Sequence, residues 1–184
     1  MLALQGDFEA HRRVLESAGA ESVEVRCAED LKDIKGLIIP GGESTTMLKL
    51  IDEEGLFDEL RRFAAARPVF GTCAGAILLA TEVTHPQQRS LGLIDMTVER
   101  NAYGRQIDSF VAPIDLEGQK VEAVFIRAPL ISRVGQETRV VGTYESAPVL
   151  VEQGKLMAAT FHPELTADSR IHRRFIQKVL SEPE

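Results

Sequence analysis

The chain has 184 residues, of which 27% are charged and 44% hydrophobic, a mixture typical of one globular domain. No apolar run approaches the roughly 20 residues that a membrane-spanning helix needs, and the net charge of −7 argues against a nucleic-acid-binding surface. Cys27 and Cys73 are the two cysteines, and no basic leader or cleavage site precedes the first apolar run. We therefore expect a single domain over residues 1–184, with free thiols in the cytoplasm.

The first 82 residues alternate between strand-like and helical segments. Strands are predicted at MLALQ, SVEVR, GLIIP and PVFG, and helices at DFEAHRRVLESAG, AEDLKDI, TTMLKLIDEEG, LFDELRRFAAAR and AGAILLATE. Ser44 or Thr45 is the expected cap of the third of these helices. The alternation predicts an α/β fold: an open, doubly wound, mostly parallel sheet with helices on both faces.

From residue 91 onward, β-rich segments replace this alternation. Strands are predicted within LIDMTVER, VEAVFIRAP, TRVVGTYE and APVLVEQGKLMAATF, and the last of these is a hairpin that turns at Gln153-Gly154. We therefore expect antiparallel additions to the sheet in this half. The chain closes with TADSRIHRRFIQKVL, whose apolar residues recur at the spacing of an amphipathic helix.

Cys73 lies in a Gly-x-Cys-x-Gly pattern between a predicted strand and a predicted helix, which is the context of a nucleophile elbow. At such a strained apex, side chains on Gly71 and Gly75 would collide with each other or with substrate. The amides at the start of the following helix favour a thiolate, and the amide of Ala74 can face an oxyanion. The alternative is a small buried hydrophobic residue, with glycines that merely ease packing. Cys27 has no such context, so the interpretation as a small buried residue without a catalytic role is kept for it.

A cysteine nucleophile needs a base, and His162 in AATFHPELT is the best candidate among four histidines. Pro163 is expected to keep the backbone extended, so that His162 and Glu164 project to the same side. The carboxylate would then orient the imidazole. His11 and His172 fall within predicted helices, where packing or partial exposure is the simpler interpretation, and His85 lies in a polar loop.

Gly41-Gly42 follows the predicted strand GLIIP, at the edge of the sheet where open α/β folds bind ligands. A Gly-Gly peptide can turn an N–H group toward a developing oxyanion. An ordinary glycine turn before a helix is the equally weighted alternative.

PGGES, GTCAG and FHPE, in this order, resemble the triad-type (class I) glutamine amidotransferase family. LALQGDF, PGGESTTM, ERNAYGRQIDSF, FIRAP and FHPELT extend the resemblance, over nearly the whole chain, to the glutaminase subunits of pyridoxal 5′-phosphate synthases. The resemblance implies that Cys73, His162 and Glu164 form a triad that hydrolyses L-glutamine. It also implies that ammonia passes to a separate synthase subunit in a large ring-shaped assembly. Neither a cofactor nor a metal is expected.

The same resemblance assigns the substrate-binding residues, which are Gly42, Glu43, Ser44, Arg100, Ile126 and Arg127. Charge supports part of this assignment, because Glu43 can pair with the ammonium of free glutamine and an arginine with its carboxylate. Gln5 and the NAYGRQ loop are candidate contacts with the synthase. The chain starts within the first predicted strand, where relatives usually have a few more residues, so a shortened edge or a misplaced start is expected.

Three other functions stay open from the sequence. A glutaminase of another synthase, such as that of histidine biosynthesis, would share the triad but need a different docking surface. A cysteine peptidase or stress protein on a related fold would ignore free glutamine. A non-enzymatic regulatory subunit would carry an inert elbow, which the complete triad disfavours.

Overall fold

The computed structural model describes residues 1–100 and 109–182, so the predicted NAYGRQ loop lies outside the described residues. The α-helices are α1 (Phe8–Ser17), α2 (Ser44–Glu53), α3 (Phe57–Ala66), α4 (Ala74–Leu79) and α5 (Arg170–Ser181). The strands are β1 (Leu37–Ile39), β2 (Val69–Thr72), β3 (Ala80–Thr84), β4 (Ile94–Glu99), β5 (Phe110–Leu116), β6 (Gln119–Phe125), β7 (Leu130–Val134), β8 (Arg139–Tyr144), β9 (Ala147–Gln153) and β10 (Leu156–Ala159). Short 3-10 helices span Ala28–Leu31 and Pro163–Leu165. No helix within the described ranges is long and apolar enough to span a bilayer.

The described strands form two sheets. The larger has the order β1-β2-β10-β9-β8-β5-β6, and the smaller has the order β3-β4-β7. β2 lies between β1 and β10 and pairs parallel with both, whereas the other described pairs in the larger sheet are antiparallel. The β9–β10 hairpin is confirmed, but it turns at Gly154 and Lys155, one residue later than predicted, because Gln153 still pairs with Leu156. The α/β class and the antiparallel additions in the C-terminal half are confirmed.

Helices cover both faces of the parallel strands, which confirms the doubly wound arrangement. Side chains alternate across a strand, so Leu37 and Ile39 pack into one core with residues of α2, α3 and α4. Ile38 and Phe70 face the other way, into a second core with residues of α1 and α5. Each fully buried side chain of this size contributes about 1.5–3 kcal/mol to folding.

Three sequence predictions of local structure are wrong. MLALQ and SVEVR form no regular strands, and one parallel bridge joins Leu2 to Val25. The helix predicted over AGAILLATE ends at Leu79, because Ala80 turns extended and begins β3. β-Branched residues follow at Thr81, Val83 and Thr84, and such residues favour strands over helices. Strand pairing with β4 thus overrides the helical pattern.

The three parallel strands bring distant segments to one edge of the larger sheet. Gly41 follows β1, Cys73 follows β2, and His162 follows β10. The backbone N–H of Cys73 donates to the carbonyl of Ala159 at 2.8 Å, which ties the ends of β2 and β10 together. Because carboxyl ends of parallel strands meet at the same edge, the fold itself assembles these segments.

Candidate active site

Cys73 occupies the strained apex that the sequence predicts. It joins β2 to α4 with φ 49° and ψ −103°, a conformation that L-residues rarely adopt. Such backbone strain costs on the order of 1–3 kcal/mol and persists only where surrounding structure holds it. The residue is 7% exposed, so the thiol lies at the floor of the site rather than on the surface.

The flanking glycines are required by packing around this apex. A Cβ on Gly71 would lie 2.5 Å from the carbonyl carbon of Gly75, and a Cβ on Gly75 would lie 2.1 Å from the carbonyl oxygen of Ile39. Both distances are far inside van der Waals contact. The glycines therefore let α4 pack against β1 and β2. Close packing and the nucleophile elbow, which the sequence offered as alternatives, both require glycine at these two positions.

His162 and Glu164 form the predicted pair, but the predicted reason is wrong. Nδ1 of His162 donates to Oε1 of Glu164 at 2.7 Å, and both side chains are buried. The backbone is not extended here, because Pro163 begins a 3-10 turn that ends at Leu165. Proline suits the first position of such a turn, since its φ is already helical and it has no N–H to satisfy. The turn brings the carboxylate back toward the ring.

His162 is held in its charged form. Burial alone would lower the pKa of His162, but hydrogen bonds and charge attraction from Cys73 and Glu164 outweigh it and raise the pKa to about 10. The backbone N–H of His162 donates to the carbonyl of Val124 at 2.8 Å, which fixes the ring against β6. An imidazolium at neutral pH stabilises a thiolate on Cys73.

The glycine turn after β1 lies directly over these groups. A Cβ on Gly41 would stand 2.4 Å from Cε1 of His162 and 3.4 Å from Cβ of Cys73, so only glycine fits at this position. The carbonyl oxygen of Gly41 faces Gly6, and the N–H of Gly42 points the opposite way across the planar peptide. Ala74 is the first residue of α4, where amides have no intrahelical acceptor.

Glu43, rather than Ser44 or Thr45, caps α2, which corrects the sequence prediction. Its carboxylate accepts from the backbone N–H groups of Thr45 at 3.0 Å and Thr46 at 2.7 Å, and from both threonine hydroxyls. Partial burial would raise the pKa of Glu43, but these hydrogen bonds outweigh it and lower the pKa to about 2. The carboxylate therefore stays charged under all ordinary conditions.

The predicted substrate residues cluster around this cap. The guanidinium of Arg100 lies 3.4 Å from Oε1 of Glu43, and its side chain is only 14% exposed. Oε1 of Gln5 accepts from the backbone N–H of Glu43 at 2.9 Å. The hydroxyl of Ser44 is buried and donates to Gln88 at 2.9 Å, so this hydroxyl is already used within the protein.

Ile126 and Arg127 approach the site from the end of β6. The thiol of Cys73 contacts the carbonyl oxygen of Ile126 at 3.9 Å, a separation typical of a weak sulfur hydrogen bond. Arg127 has a left-handed backbone with φ 43°, and its side chain is exposed. Of this pair, Ile126 is therefore the one in contact with the nucleophile.

Two residues that sequence analysis treated as packing lie beside the site. His11 and His172 are both fully buried, so of the two interpretations that the sequence left open, packing is confirmed and partial exposure is wrong. Nε2 of His11 lies 3.3 Å from Oε2 of Glu164, on the far side of the carboxylate from His162. The sequence could have indicated that His11 has a buried partner, though not which one, because His11 falls within the apolar stripe of α1 and a buried polar residue needs a partner. His85 is exposed, as its polar loop suggested, but Cys27 is also exposed, so its interpretation as a small buried residue is wrong.

A cleft elsewhere on the protein lacks catalytic side chains. An apolar cleft of about 420 Å³ lies between the N-terminus, α1 and α5, and Met1, Leu15, Phe175, Ile176 and Val179 are among its lining residues. Its lining includes neither cysteine nor histidine, so it offers no nucleophile and no imidazole base. Within residues 1–100 and 109–182, no group of three or more His, Cys, Asp or Glu side chains is placed to hold a metal ion.

Comparisons with known proteins agree on one family. The family model described as the SNO glutamine amidotransferase family matches residues 1–181. The chain is 55% identical to "Pyridoxal 5′-phosphate synthase subunit PdxT" of Solibacter usitatus, over 97% of both chains. The protein of the same name from Koribacter versatilis is 54% identical over 97% of this chain and 94% of that one. A solved structure described as "Crystal structure of glutamine amidotransferase" superposes with a TM-score of 0.91 at 48% identity, covering 97% of this chain and 96% of that one.

Proposed function

The chain belongs to the SNO glutamine amidotransferase family, and from this we propose that it is the glutaminase subunit of a pyridoxal 5′-phosphate synthase. The observation that carries the chemistry is a cysteine at a strained strand-to-helix apex, beside an imidazole that a buried carboxylate orients. Two relatives with that printed name, at 55% and 54% identity, favour this synthase over that of histidine biosynthesis.

The proposed reaction uses Cys73 as the nucleophile and His162 as the acid and base. The thiolate attacks the side-chain amide carbon of glutamine, and His162 protonates the departing nitrogen, which leaves as ammonia. A glutamyl thioester remains on Cys73. Water, deprotonated by His162, then attacks this thioester and releases glutamate and the thiolate. Glu164 accepts from Nδ1 of the imidazole and holds it in place.

The oxyanion of each tetrahedral intermediate needs N–H donors beside the sulfur. We assign the amide of Ala74 and the Gly41-Gly42 turn to this role, because Ala74 begins α4 and Gly41 lies against both His162 and Cys73. Removal of one such donor typically lowers the rate about 10²- to 10³-fold.

The free amino acid would be bound at its polar end by the cluster around the α2 cap. Glu43 stays charged and can pair with the substrate ammonium, while Arg100 can bind the substrate carboxylate. Gly42 and Ser44 border this cluster, where Ser44 contributes through its backbone because its hydroxyl already bonds Gln88. Ile126 and Arg127 complete the pocket from the β6 side.

Ammonia released here would serve a second chain. The two relatives named above are each called a subunit of a synthase, which supports a separate chain as the one that uses the ammonia. We propose a synthase subunit in a large ring-shaped assembly in the cytoplasm as the acceptor. Gln5 is the proposed contact residue, since it already bonds the backbone next to the Gly41-Gly42 turn.

The test is glutamine hydrolysis by the chain alone and in complex with the synthase subunit, followed by detection of pyridoxal 5′-phosphate. Without the other substrates of the synthase, the wild-type complex should release glutamate and ammonia in equal amounts. The Cys73→Ala complex should lose this activity by at least about 10⁴-fold, since the residual rate depends on binding alone.

A matched control is Cys27→Ala, which removes the exposed thiol and should leave hydrolysis unchanged. Persistent glutamate release from the Cys73→Ala complex would contradict the proposed chemistry. Glutamine hydrolysis without formation of pyridoxal 5′-phosphate would support the glutaminase activity but contradict the assignment to this synthase.

A further inference from the structure

A row of buried polar side chains continues beyond the triad into the second core. Nδ1 of His11 lies 2.9 Å from Nε2 of His172, and Nε2 of His11 lies 3.1 Å from Oγ1 of Thr72 and 3.3 Å from Oε2 of Glu164. His11 belongs to α1, His172 to α5 and Thr72 to β2, so three separate elements converge behind the carboxylate. Both histidines are fully buried.

The hydrogen-bond roles in this row follow from the chemistry of each group. Glu164 is an acceptor when ionised, and its Oε2 is a buried oxygen that accepts no hydrogen bond of normal geometry within the described residues, because Nε2 of His11 is aligned with Oγ1 of Thr72 instead. His11 is the one basic side chain within 4 Å of that oxygen in the described part of the chain. Its Nε2 must therefore carry the proton, because a lone pair there would repel the carboxylate.

This choice fixes the rest of the row. A neutral His11 protonated at Nε2 has an unprotonated Nδ1, which must accept a proton from Nε2 of His172. Nδ1 of His172 is then the unprotonated nitrogen, and it is the buried atom of that ring that has no partner within the described residues. A buried acceptor without a partner costs less free energy than a buried donor without one, so this assignment leaves the less costly group of His172 unsatisfied.

We propose that His11 is a positioning residue whose Nε2–H is shared between Oγ1 of Thr72 and the second oxygen of Glu164, and that His172 fixes the tautomer in which His11 does so. The proposal rests on the proposed function, since it extends the Cys73, His162 and Glu164 triad by two residues. His11 touches neither the substrate nor the sulfur and acts on the reaction through the carboxylate alone.

The electrostatics of the pair support this role. Burial lowers the pKa of His11 well below its usual value, and the neighbouring charges of His172, His162 and the N-terminus lower it further. Burial also lowers the pKa of His172 to about 4. Both rings are therefore neutral at physiological pH, so they add a donor for Glu164 without adding positive charge that would compete with His162.

The test compares two substitutions of His11 in complex with the synthase subunit. His11→Phe keeps a ring of similar size but removes the donor, whereas the amide of His11→Gln can donate to Glu164 and accept from His172. We expect His11→Phe to lower kcat about 10- to 100-fold, with KM within about twofold of wild type. The limb of its pH profile that reports His162 should move to higher pH, because Glu164, with one donor fewer, would accept more strongly from this imidazolium. His11→Gln should recover most of both changes.

A purely structural role makes a different prediction. Phe175→Leu disturbs the same core without touching the row, and it should lower the melting temperature while leaving kcat and the pH profile at wild-type values. If His11→Gln is as defective as His11→Phe, or if neither alters the profile, the proposal is overturned.

Two further measurements separate this proposal from the glutaminase itself. The first is the pH dependence of Cys73 alkylation by iodoacetamide, which needs no glutamine turnover. It measures the effect of the His11 substitutions on the triad even if the wild-type complex fails to hydrolyse glutamine. The second is nitrogen NMR of the wild-type chain, which shows which nitrogen of each imidazole carries the proton. It does not depend on whether a variant folds. We expect His11 to carry its proton on Nε2, and a proton on Nδ1 would overturn the proposal.

Discussion

Glu164 bonds His162 at 2.7 Å through one carboxylate oxygen while its other oxygen faces His11 at 3.3 Å. The carboxylate thus stands between an imidazole that is held charged and one that is held neutral. Burial acts on both rings, and the different outcomes arise because hydrogen bonds and charge attraction from Cys73 and Glu164 raise the pKa of His162, whereas no such contact among the described residues raises the pKa of His11. The difference lets a single buried carboxylate orient the base without attracting a second positive charge to the site.

Glu164→Gln should test the orienting role of this carboxylate. The amide keeps the volume but loses the charge, and its NH₂ group can force the wrong tautomer on His162. We expect kcat for glutamine hydrolysis by the complex to fall about 10³- to 10⁴-fold, and the pKa of His162 to drop below its wild-type value of about 10. Steady-state kinetics and NMR titration measure the two effects.

The control for this charge change is Glu9→Gln, which neutralises an exposed carboxylate on α1 that pairs with Arg12. It should leave both kinetics and the His162 titration unchanged. A Glu164→Gln complex with wild-type kcat would show that the carboxylate has no role in the reaction.

The buried histidines predict a loss of stability in acid. The folded pKa of His172 is lowered to about 4 from an ordinary 6.5, so its contribution to stability is present above pH 6.5 and is lost as the pH falls toward 4. Between pH 7.5 and pH 5 this single group should cost about 2 kcal/mol of unfolding free energy, and His11 adds a cost of the same sign. Urea unfolding at the two pH values measures it.

His172→Phe should reduce this pH dependence, because no buried group at that position then needs to take up a proton. Phe175→Leu serves as the control, since it weakens the same core but removes no titrating group. Equal losses of stability on acidification in wild type and His172→Phe would show that the ring is accessible to water.

Local patterns were sufficient to predict the elbow and the order of the site segments. Gly71-Thr72-Cys73-Ala74-Gly75 fixes a backbone geometry by steric exclusion, and such exclusion is visible within five residues. The hairpin at Gly154 is equally local. Contacts set by tertiary packing could not be predicted, because nothing near His11 in the sequence indicates that Glu164, 153 positions further along, will face it. The 3-10 turn at Pro163 shows that a correct contact can be predicted from a wrong local conformation.

Gly75→Ala should be strongly destabilising, although alanine normally favours a helix over glycine by about 1 kcal/mol. The added Cβ would lie 2.1 Å from the backbone oxygen of Ile39, and backbone cannot move aside as a flexible side chain can. We expect a loss of at least about 3 kcal/mol in unfolding free energy, measured by urea unfolding.

Gly55→Ala provides the comparison, because its Cβ would meet nothing within 4 Å and only the left-handed backbone at φ 64° opposes it. That backbone strain should lower the unfolding free energy by about 1–2 kcal/mol. If Gly75→Ala proves no more harmful than Gly55→Ala, then β1 and α4 are less tightly packed than the structure indicates.

Arg100 provides the sharpest test of substrate binding, because its guanidinium is largely buried 3.4 Å from Glu43 rather than free in solvent. Arg100→Gln removes the charge proposed to bind the glutamine carboxylate, so the dissociation constant of glutamine should rise about 10- to 100-fold. Calorimetry on the Cys73→Ala complex measures binding without turnover, which KM alone does not do. Arg133→Gln removes an equivalent ion pair, 2.7 Å from Asp95 in the smaller sheet, and should leave glutamine binding unchanged. Equal affinity in the Arg100→Gln and Arg133→Gln complexes would mean that Arg100 serves the α2 cap and not the substrate.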